Sequence, residues 1–351
     1  MWGMKPGTEP EIRILHIIDN LIDLDPDIIG LQEINEAVNG DGTDNQGKVI
    51  ADSLSAHFGI PYYYDKIITH LSWDSQYKEF IGIITKYPVE EKGYHQLATG
   101  VFPRKVIWNK ISTPSGTVNF FNTHLSYNDS NVRIQQVQQI IDYVNEIENN
   151  YPATASILTG DFNDIPSSAS IQQLINTDTD TFYISTYAFI NPRGLGYTAP
   201  SHAPFNKIDY IFLKNTSSIT PIESEIVMDQ PYSGNLFCSD HFGITTSFQE
   251  NIMTIENDSS CNPGGYELCQ NYPNPFNYQT RIVYLIQQKS LVTIKVFDIT
   301  GRKIQLLVHE FQTPGEHTLN FNARDLPGGI YLFEIQTDNG KKQKGKMLLL
   351  R

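Results

Sequence analysis

A polar, turn-rich stretch between about residues 250 and 266 divides this sequence into two parts of different texture. Helical and strand-like patterns alternate before it, whereas only short strand-like runs follow it. A chain of 351 residues is long for a single domain, so the division predicts two domains. We place the first domain at 1–250, a linker at 251–266 and the second domain at 267–351.

The first part mixes both kinds of secondary structure. Apolar spacing predicts helices over 11–24, 47–58 and 131–149, with a short helix near 168–176. Strands are predicted at 27–34, 61–69, 79–85, 105–112, 117–123, 155–160, 207–213 and 242–248. The mixture predicts two packed sheets flanked by helices, although periodicity alone leaves other α/β arrangements open.

The second part shows no helical period. Strand-like runs at 280–287, 291–298, 302–308, 317–322, 329–336 and 344–350 are separated by turn signals such as Thr300-Gly301. This pattern predicts a small all-β sandwich.

The formal charge of −14 is concentrated in the first part, where 14 Lys and Arg stand against 30 Asp and Glu. Such a domain lacks the basic surface of a tight nucleic-acid binder, so no stable DNA binding is expected. A hydrolase that touches phosphate only at a metal-filled cleft stays compatible with this charge. No run of about eighteen apolar residues occurs, so no membrane span is expected either.

The three cysteines, Cys238, Cys261 and Cys269, match neither a disulfide framework nor a zinc pattern. Cys261 and Cys269 lie close together in sequence and could pair in an oxidising compartment or remain thiols.

Several acidic, amide and imidazole side chains fall at predicted strand ends, where a rigid scaffold often presents functional groups. They are Glu33, His124, Asp161, Asn163, Asp209, Asp240 and His241. Carboxylates suit a hard divalent cation, and an imidazole held by a carboxylate suits the activation of water. Each residue alone also has an ordinary explanation, such as a solvated strand end or a turn. Their spacing along the sequence does not by itself show that they lie close together in the folded protein.

Short motifs around these residues carry a resemblance. LQE at 31–33, THLS at 123–126, GDFN at 160–163, KIDYIF at 207–212 and SDH at 239–241 occur in the order found in the endonuclease/exonuclease/phosphatase, or deoxyribonuclease I-like, superfamily. The sequence resembles that superfamily over roughly residues 11–249. The resemblance implies a four-layer α/β sandwich with its site at one edge of two facing sheets.

The resemblance also implies a role for each residue. Glu33 would bind Mg²⁺ or Mn²⁺, with help from Asp240. His241, oriented by Asp209, would act on the nucleophilic water. The remaining roles are as follows: Asp161 positions or deprotonates that water, Asn163 holds a phosphate oxygen, His124 stabilises the transition state or protonates the leaving oxygen, and Glu79 supports His124.

Three further residues and three loops have open interpretations. Arg133 could reach a substrate phosphate, but an ordinary surface arginine is the expected reading. Substrate choice would lie in the loops 36–47, 70–78 and 191–206, the last of which contains Tyr197 and His202.

One feature departs from the superfamily pattern. Its members begin with a strand that lies inside a sheet and ends in an asparagine contacting the metal, and no such strand precedes the first helix here. The expectation is a start that comes too late, with a gap in the core and weakened metal binding.

The second part, over about residues 266–351, resembles the C-terminal sorting domain of type IX secretion. NYPNPFN, DITGR, GGIY and a basic ending carry this resemblance. It implies type IX secretion machinery as a partner and a secreted or cell-surface location, although no signal peptide is visible in the sequence.

Together these features predict a secreted, divalent-metal-dependent enzyme that hydrolyses phosphodiester bonds, with extracellular nucleic acid as the leading substrate. The alternatives are a sphingomyelin or phospholipid phosphodiesterase, a small-molecule phosphatase, and a catalytically impaired surface binding module. A cytoplasmic repair nuclease is disfavoured, because that branch usually has a tyrosine where His124 stands.

Overall fold

The structure is a computed structural model, and it describes residues 9–175, 183–214, 217–250, 266–272, 276, 278–286, 288–338 and 342–349. The chain forms two compact units, Met1–Asn251 and Ile252–Arg351. Most of the predicted linker, 251–265, lies outside the described residues, so the linker stays a prediction. Cys261 also lies outside them, so its proposed pairing with Cys269 stays a prediction, whereas Cys238 is a buried free thiol.

The first unit contains five described helices. They are α1 (Pro10–Leu24), α2 (Gln46–Phe58), α3 (Ser130–Asn150), α4 (Ala169–Ile175) and α5 (Thr186–Ile190). Local chemistry fixes their ends. The Asn45 side chain accepts a hydrogen bond from the Lys48 amide to cap α2, and Gly59 ends that helix with φ of 69°. None of the helices in the described part of the chain is both long and apolar enough to cross a membrane.

The strands of the first unit form three sheets. The strands are β1 (Ile28–Ala37), β2 (Tyr63–Ser72), β3 (Tyr77–Thr85), β4 (Val89–Gln96), β5 (Lys105–Thr113), β6 (Gly116–His124), β7 (Ala155–Asp161), β8 (Tyr183–Ser185), β9 (Asp209–Lys214), β10 (Ile219–Val227) and β11 (Gly243–Glu250). Their orders are β1-β3-β2, β4-β5-β6-β7-β9-β8 and β10-β11. Among the strands that the structure describes in this unit, only β6 and β7 pair in parallel, and α3 supplies the crossover that such a pair requires.

Strand alternation places side chains in different buried clusters. Phe121 on β6 packs with α3 and α4, whereas its neighbour Phe120 packs with Ile81 and Ile83 of β3. The opposite face of β3, including Ile84, packs against α1 and α2. The unit is therefore a mixed α/β structure with several sheets and flanking helices, as expected. The four-layer arrangement itself stays a prediction.

Two strand edges border a cavity of about 700 Å³. Within the described residues, β1 pairs only with β3 and β11 pairs only with β10. The cavity has apolar lining from both strands, including Ile28 and Ile244, and from Phe120 and Ile157 of the six-stranded sheet. Residues 1–8, part of the stretch before the first helix in which the sequence showed no strand, lie outside the described residues, so the expectation of a missing strand stays a prediction.

The second unit is entirely β in its described part. Its strands are β12 (Tyr266–Tyr272), β13 (Gln279–Ile286), β14 (Ser290–Asp298), β15 (Lys303–Gln312), β16 (Gly315–Asn322), β17 (Gly329–Gln336) and β18 (Lys342–Leu349). They form the antiparallel sheets β12-β13-β16 and β15-β14-β17-β18. Alternate residues such as Ile282 and Tyr284 on one sheet share a buried core with Ile294 and Phe333 on the other.

Candidate active site

Neighbouring strands of the six-stranded sheet end at the same edge, and three of the predicted site residues lie there. His124 ends β6, Asp161 ends β7 and Asp209 begins β9. The strand register pairs His124 with Asp161 and Asp161 with Asp209. Hydrogen bonding between strands therefore brings together residues that are far apart in sequence.

Asp161, Asp209 and His241 form the centre of the candidate site. The His241 Nδ1 atom lies 3.0 Å from the Asp209 Oδ2 atom and 3.9 Å from the Asp161 Oδ2 atom. Each side chain offers one metal-ligand atom, and these atoms lie within 4.8 Å of one another. The predicted pairing of His241 with Asp209 is thus present as a contact.

Mutual charge determines how these groups titrate. Burial and the Asp209 charge raise the pKa of Asp161 to about 7. Burial opposes the charged form of His241, but Asp209, Asp161 and Asp240 outweigh it and raise its pKa to about 10. The imidazole therefore carries a proton near neutral pH as long as no cation offsets the carboxylates.

Glu33 and Asp240 line the same cavity as this cluster. Glu33 lies at a bulge of β1, where the register shifts between Leu31 and Ile34, and its φ of 55° is left-handed. Burial, together with the charges of Glu79, Asp240 and Asp161, raises its pKa to about 7. Such a concentration of buried and partly buried carboxylates fits a hard divalent cation, whose charge would relieve their repulsion.

The loop that carries Asp240 and His241 is held by short hydrogen bonds. The Ser201 amide donates to the Asp240 carbonyl at 2.7 Å, and the His241 amide donates to the Ser239 hydroxyl at 3.2 Å. The loop 191–206 therefore braces this part of the site. Its Tyr197 and His202 do not line the cavity described above.

Asn163 turns its side chain back toward β6. Its backbone φ is 50°, and its backbone N–H donates to Asp161 Oδ1 at 2.8 Å. Its side-chain Nδ2 donates to the Leu125 carbonyl at 3.1 Å. Gly160 makes the close approach of β7 and β6 possible, because a Cβ there would lie 2.3 Å from the Thr123 carbonyl oxygen. The GDFN motif thus fixes Asp161 and Asn163 together.

His124 is buried beside Asp161. Its Nε2 atom lies 3.5 Å from Asp161 Oδ2, and its Nδ1 atom has no hydrogen-bond partner in the described part of the chain. Burial and the charge of Arg104 lower its pKa well below the ordinary value, so the ring is neutral.

Glu79 lies on β3 near an imidazole, whose pKa burial lowers to about 4, and a guanidinium. Its Oε1 atom is 3.7 Å from His70 Nε2 and 4.0 Å from Arg104 Nη1. The described contacts of His124 do not include Glu79, so the supporting role expected for Glu79 stays a prediction.

The expectation that Arg133 is an ordinary surface arginine is wrong. The side chain is buried, and its Nε donates to Asp164 Oδ2 at 2.8 Å. Its Nη1 donates to the carbonyls of Ser126 and Tyr127 at 3.0 and 3.2 Å. Arg133 therefore ties together the two loops that follow β6 and β7.

Two buried cations escaped the sequence reasoning. Arg104 directly precedes β5, and Lys207 begins the KIDYIF motif; they are 3% and 5% exposed. Sequence gave no signal for Arg104, because a single arginine before a strand matches no spacing. Lys207 lies in the KIDYIF motif, in which the sequence predicted a functional role only for Asp209.

A partly buried carboxylate–imidazole cluster at strand ends, beside further carboxylates in a cavity, is typical of a hydrolase active site. Residues 3–241 match the Endonuclease/Exonuclease/phosphatase family, and residues 270–349 match a secretion system C-terminal sorting domain. The chain belongs to the endonuclease/exonuclease/phosphatase family and carries a type IX secretion sorting domain.

Solved structures share the fold at low sequence identity. An endonuclease/exonuclease/phosphatase family protein from Leptotrichia buccalis aligns with a TM-score of 0.56 and 20% identity, covering 70% of this chain and 95% of its own. A Bacteroides thetaiotaomicron mannosyl-6-phosphatase aligns with a TM-score of 0.55 and 20% identity, covering 69% and 92%. A humanized D. rerio TDP2 aligns with a TM-score of 0.52 and 16% identity, covering 71% and 96%. None of the curated proteins compared matches the sequence.

Members of this family are phosphoesterase hydrolases and are generally dependent on divalent metals. The sorting domain indicates secretion or attachment to the cell surface. The chain therefore belongs to the class of secreted phosphoesterases, and this assignment does not extend to its substrate.

Proposed function

We propose that this protein is a divalent-metal-dependent enzyme that hydrolyses phosphodiester bonds outside the cell, with extracellular nucleic acid as its leading substrate. One observation carries the proposal. The ligand atoms of Asp161, Asp209 and His241 lie within 4.8 Å of one another, and Glu33 and Asp240 line the same cavity.

Glu33 and Asp240 are the residues that would hold Mg²⁺ or Mn²⁺, because both line the cavity, whereas Asp161 and Asp209 are the carboxylates next to the His124 and His241 imidazoles. The ion would neutralise part of the phosphate charge and, by offsetting the carboxylates, lower the pKa of His241 from the value they impose.

The remaining roles follow from the contacts. His241, oriented by its 3.0 Å contact with Asp209, takes the proton of the attacking water. Asp161 positions that water, and Asn163, fixed through its 3.1 Å bond to the Leu125 carbonyl, holds a phosphate oxygen. His124, neutral in this structure, stabilises the transition state by donating a hydrogen bond; it protonates the leaving oxygen only after the charge of the bound phosphate has raised its pKa and the ring has taken up a proton.

A small phosphomonoester is the second candidate substrate. The solved structure of a mannosyl-6-phosphatase shares the fold, and the acidic first part of this chain disfavours prolonged contact with a polyanion. Sphingomyelin and a role as a binding module are further alternatives, which the same assay separates.

The test is hydrolysis by the full chain with Mg²⁺ of plasmid DNA, a bis-aryl phosphate, an aryl phosphomonoester and sphingomyelin. We expect turnover of the diesters, and loss of turnover in EDTA with recovery on adding Mg²⁺ or Mn²⁺. Activity on the monoester alone would transfer the proposal to the second candidate. Inactivity on all four substrates would refute it.

Variants of the site test the roles. His241→Ala should lower kcat by about 10²–10⁴-fold if the imidazole is the base, and a loss under about threefold excludes that role. Glu33→Gln should move the metal titration to higher concentration, whereas an unchanged titration excludes Glu33 as a ligand. Lys48→Gln, on the exposed face of α2, is the matched control.

A further inference from the structure

The backbone of Glu33 is held in a conformation that residues with a Cβ atom rarely adopt. Its φ of 55° is left-handed. The register of β1 against β3 breaks after Leu31 and resumes at Ile34, so Glu33 lies in the bulge and outside the ladder. Such a conformation persists only where the surrounding structure imposes it.

The Asn35 side chain holds the backbone just after this bulge. Its Nδ2 atom donates to the Glu33 carbonyl at 3.0 Å, so it satisfies a backbone group of the residue that lies outside the ladder. Asn35 is only 1% exposed, and its own Cα is back in register, opposite Glu79. The hydrogen bond therefore ties the irregular residue to the regular part of the same strand.

Two neighbouring segments fix the Asn35 residue in turn. The Ser72 hydroxyl, at the end of β2, donates to Asn35 Oδ1 at 2.8 Å. The Asn35 backbone N–H donates to Oε1 of Gln46, the first residue of α2, at 3.0 Å. Since Oδ1 accepts from Ser72, the amide directs its NH₂ group to the Glu33 carbonyl. Strand β2 and helix α2 thus both brace the bulge.

Asn119 is a buried amide of the same kind with a different task. It is fully buried, its Oδ1 accepts from Trp108 Nε1 at 3.1 Å, and its Nδ2 donates to the Tyr151 carbonyl at 2.9 Å. Neither partner is a candidate site residue, so Asn119 joins parts of the scaffold. Asn35 uses the same bonding capacity on the backbone of a candidate metal ligand.

We propose that Asn35 is a positioning residue that keeps the Glu33 carboxylate directed at the metal; this rests on the metal-ligand role of Glu33 in the function proposed above. The backbone conformation of a residue determines the direction in which its side chain leaves the chain. Without the bond from Asn35, Glu33 can relax toward the extended conformation, and its carboxylate then leaves the place that the bulge gives it. Groups that orient a metal ligand in this way contribute strongly to metal affinity.

Calorimetric titration of the full chain with Mn²⁺ tests the proposal without any turnover. Asn35→Ala should weaken Mn²⁺ binding at least about tenfold, and Ser72→Ala, which removes only the bond that orients the Asn35 amide, at least about threefold. Asn119→Ala is the matched control, because it removes a buried amide that makes the same kinds of hydrogen bond. It should lower stability and bind Mn²⁺ like the unaltered chain.

The same titration in a Glu33→Gln background separates positioning from a general loss of structure. If Asn35 acts through the Glu33 carboxylate, adding Asn35→Ala to Glu33→Gln should weaken Mn²⁺ binding by less than about twofold more. An equal loss in both backgrounds would show that Asn35 acts independently of Glu33 and would overturn the proposal.

Mn²⁺ binding by Asn35→Ala within about twofold of the unaltered chain also overturns it. If that variant fails to fold, Ser72→Ala decides by the same criterion. A chain that binds Mn²⁺ through Glu33 and Asn35 but hydrolyses no ester would refute the proposed function and keep this positioning role. A chain that hydrolyses esters with Mn²⁺ and binds the ion equally well with Asn35→Ala would do the reverse.

Discussion

At the scale of single residues, burial of an ionisable side chain shifts its pKa as well as fixing its position. Lys207 is an example outside the central cluster. Its Nζ atom donates to the Ser185 hydroxyl at 3.4 Å and lies 4.8 and 5.3 Å from the ring centres of Tyr187 and Tyr210. The two rings favour the charged form, but burial prevails and lowers the pKa to about 8.

This shift predicts a pH-dependent stability. Between pH 8 and 10.5 the unfolded chain holds the Lys207 proton that the folded chain has lost, so the free energy of unfolding rises with pH. Relative to Lys207→Met, the unaltered chain should gain up to about 3 kcal/mol across this window. Urea unfolding in EDTA at pH 7.5, 9 and 10 measures it. A pH-independent difference between the two proteins would contradict the shift.

Residue-scale reading of the sequence had a clear limit. It found Asp161, Asp209 and His241, because strand ends and short ordered motifs are visible in one dimension. It missed Arg104, since the burial of a cation is a property of the surrounding structure and not of spacing. It was also wrong about Arg133, which it predicted to be an ordinary surface arginine. In the structure, three acceptors from two loops surround that side chain.

At the scale of elements, strands with strong apolar patterns were predictable and edge strands were not. The sequence VEEKGYHQ of β4 is polar and largely exposed, because this strand is at the edge of its sheet. Pro221 interrupts the pattern of β10 and lies at a register shift against β11. The sequence analysis therefore placed no strand at either position.

Asn122 connects two sheets through hydrogen bonds that no element pattern reveals. It is fully buried on β6, and its Nδ2 donates to the carbonyls of Leu31 on β1 and Gly82 on β3 at 2.9 and 3.0 Å. Its Oδ1 accepts from Gln32 Nε2 at 2.6 Å and from the Thr159 hydroxyl at 3.2 Å. One amide thus satisfies groups on both sheets next to the bulge that carries Glu33.

Asn122→Ala should therefore lower the free energy of unfolding by about 3–5 kcal/mol, because it leaves several buried polar groups unpaired. Chemical denaturation measures the loss. Asn149→Ala, on the exposed end of α3, is the control and should change stability by less than about 0.5 kcal/mol. A similar small effect of both substitutions would show that Asn122 does not hold the sheets together.

At the scale of the whole molecule, chemistry and export are separated along the chain. All of the candidate site residues, from Glu33 to His241, belong to the first unit, and the match to the sorting domain falls within the second. Each unit has a buried apolar core of its own. The change in sequence texture predicts two domains, and it is visible in the sequence because a loss of helical period is a property of a long segment and not of a single residue.

The division predicts that hydrolysis does not need the second unit. A chain ending at Asn251 should fold and keep kcat/KM within about twofold of the full chain, since it retains every candidate site residue and its own core. Calorimetry of the full chain should show two transitions, and the shortened chain should keep the one that shifts on adding Mg²⁺. A shortened chain that folds but loses most of its activity would contradict this prediction. The second unit would then be part of the enzyme as well as its export signal.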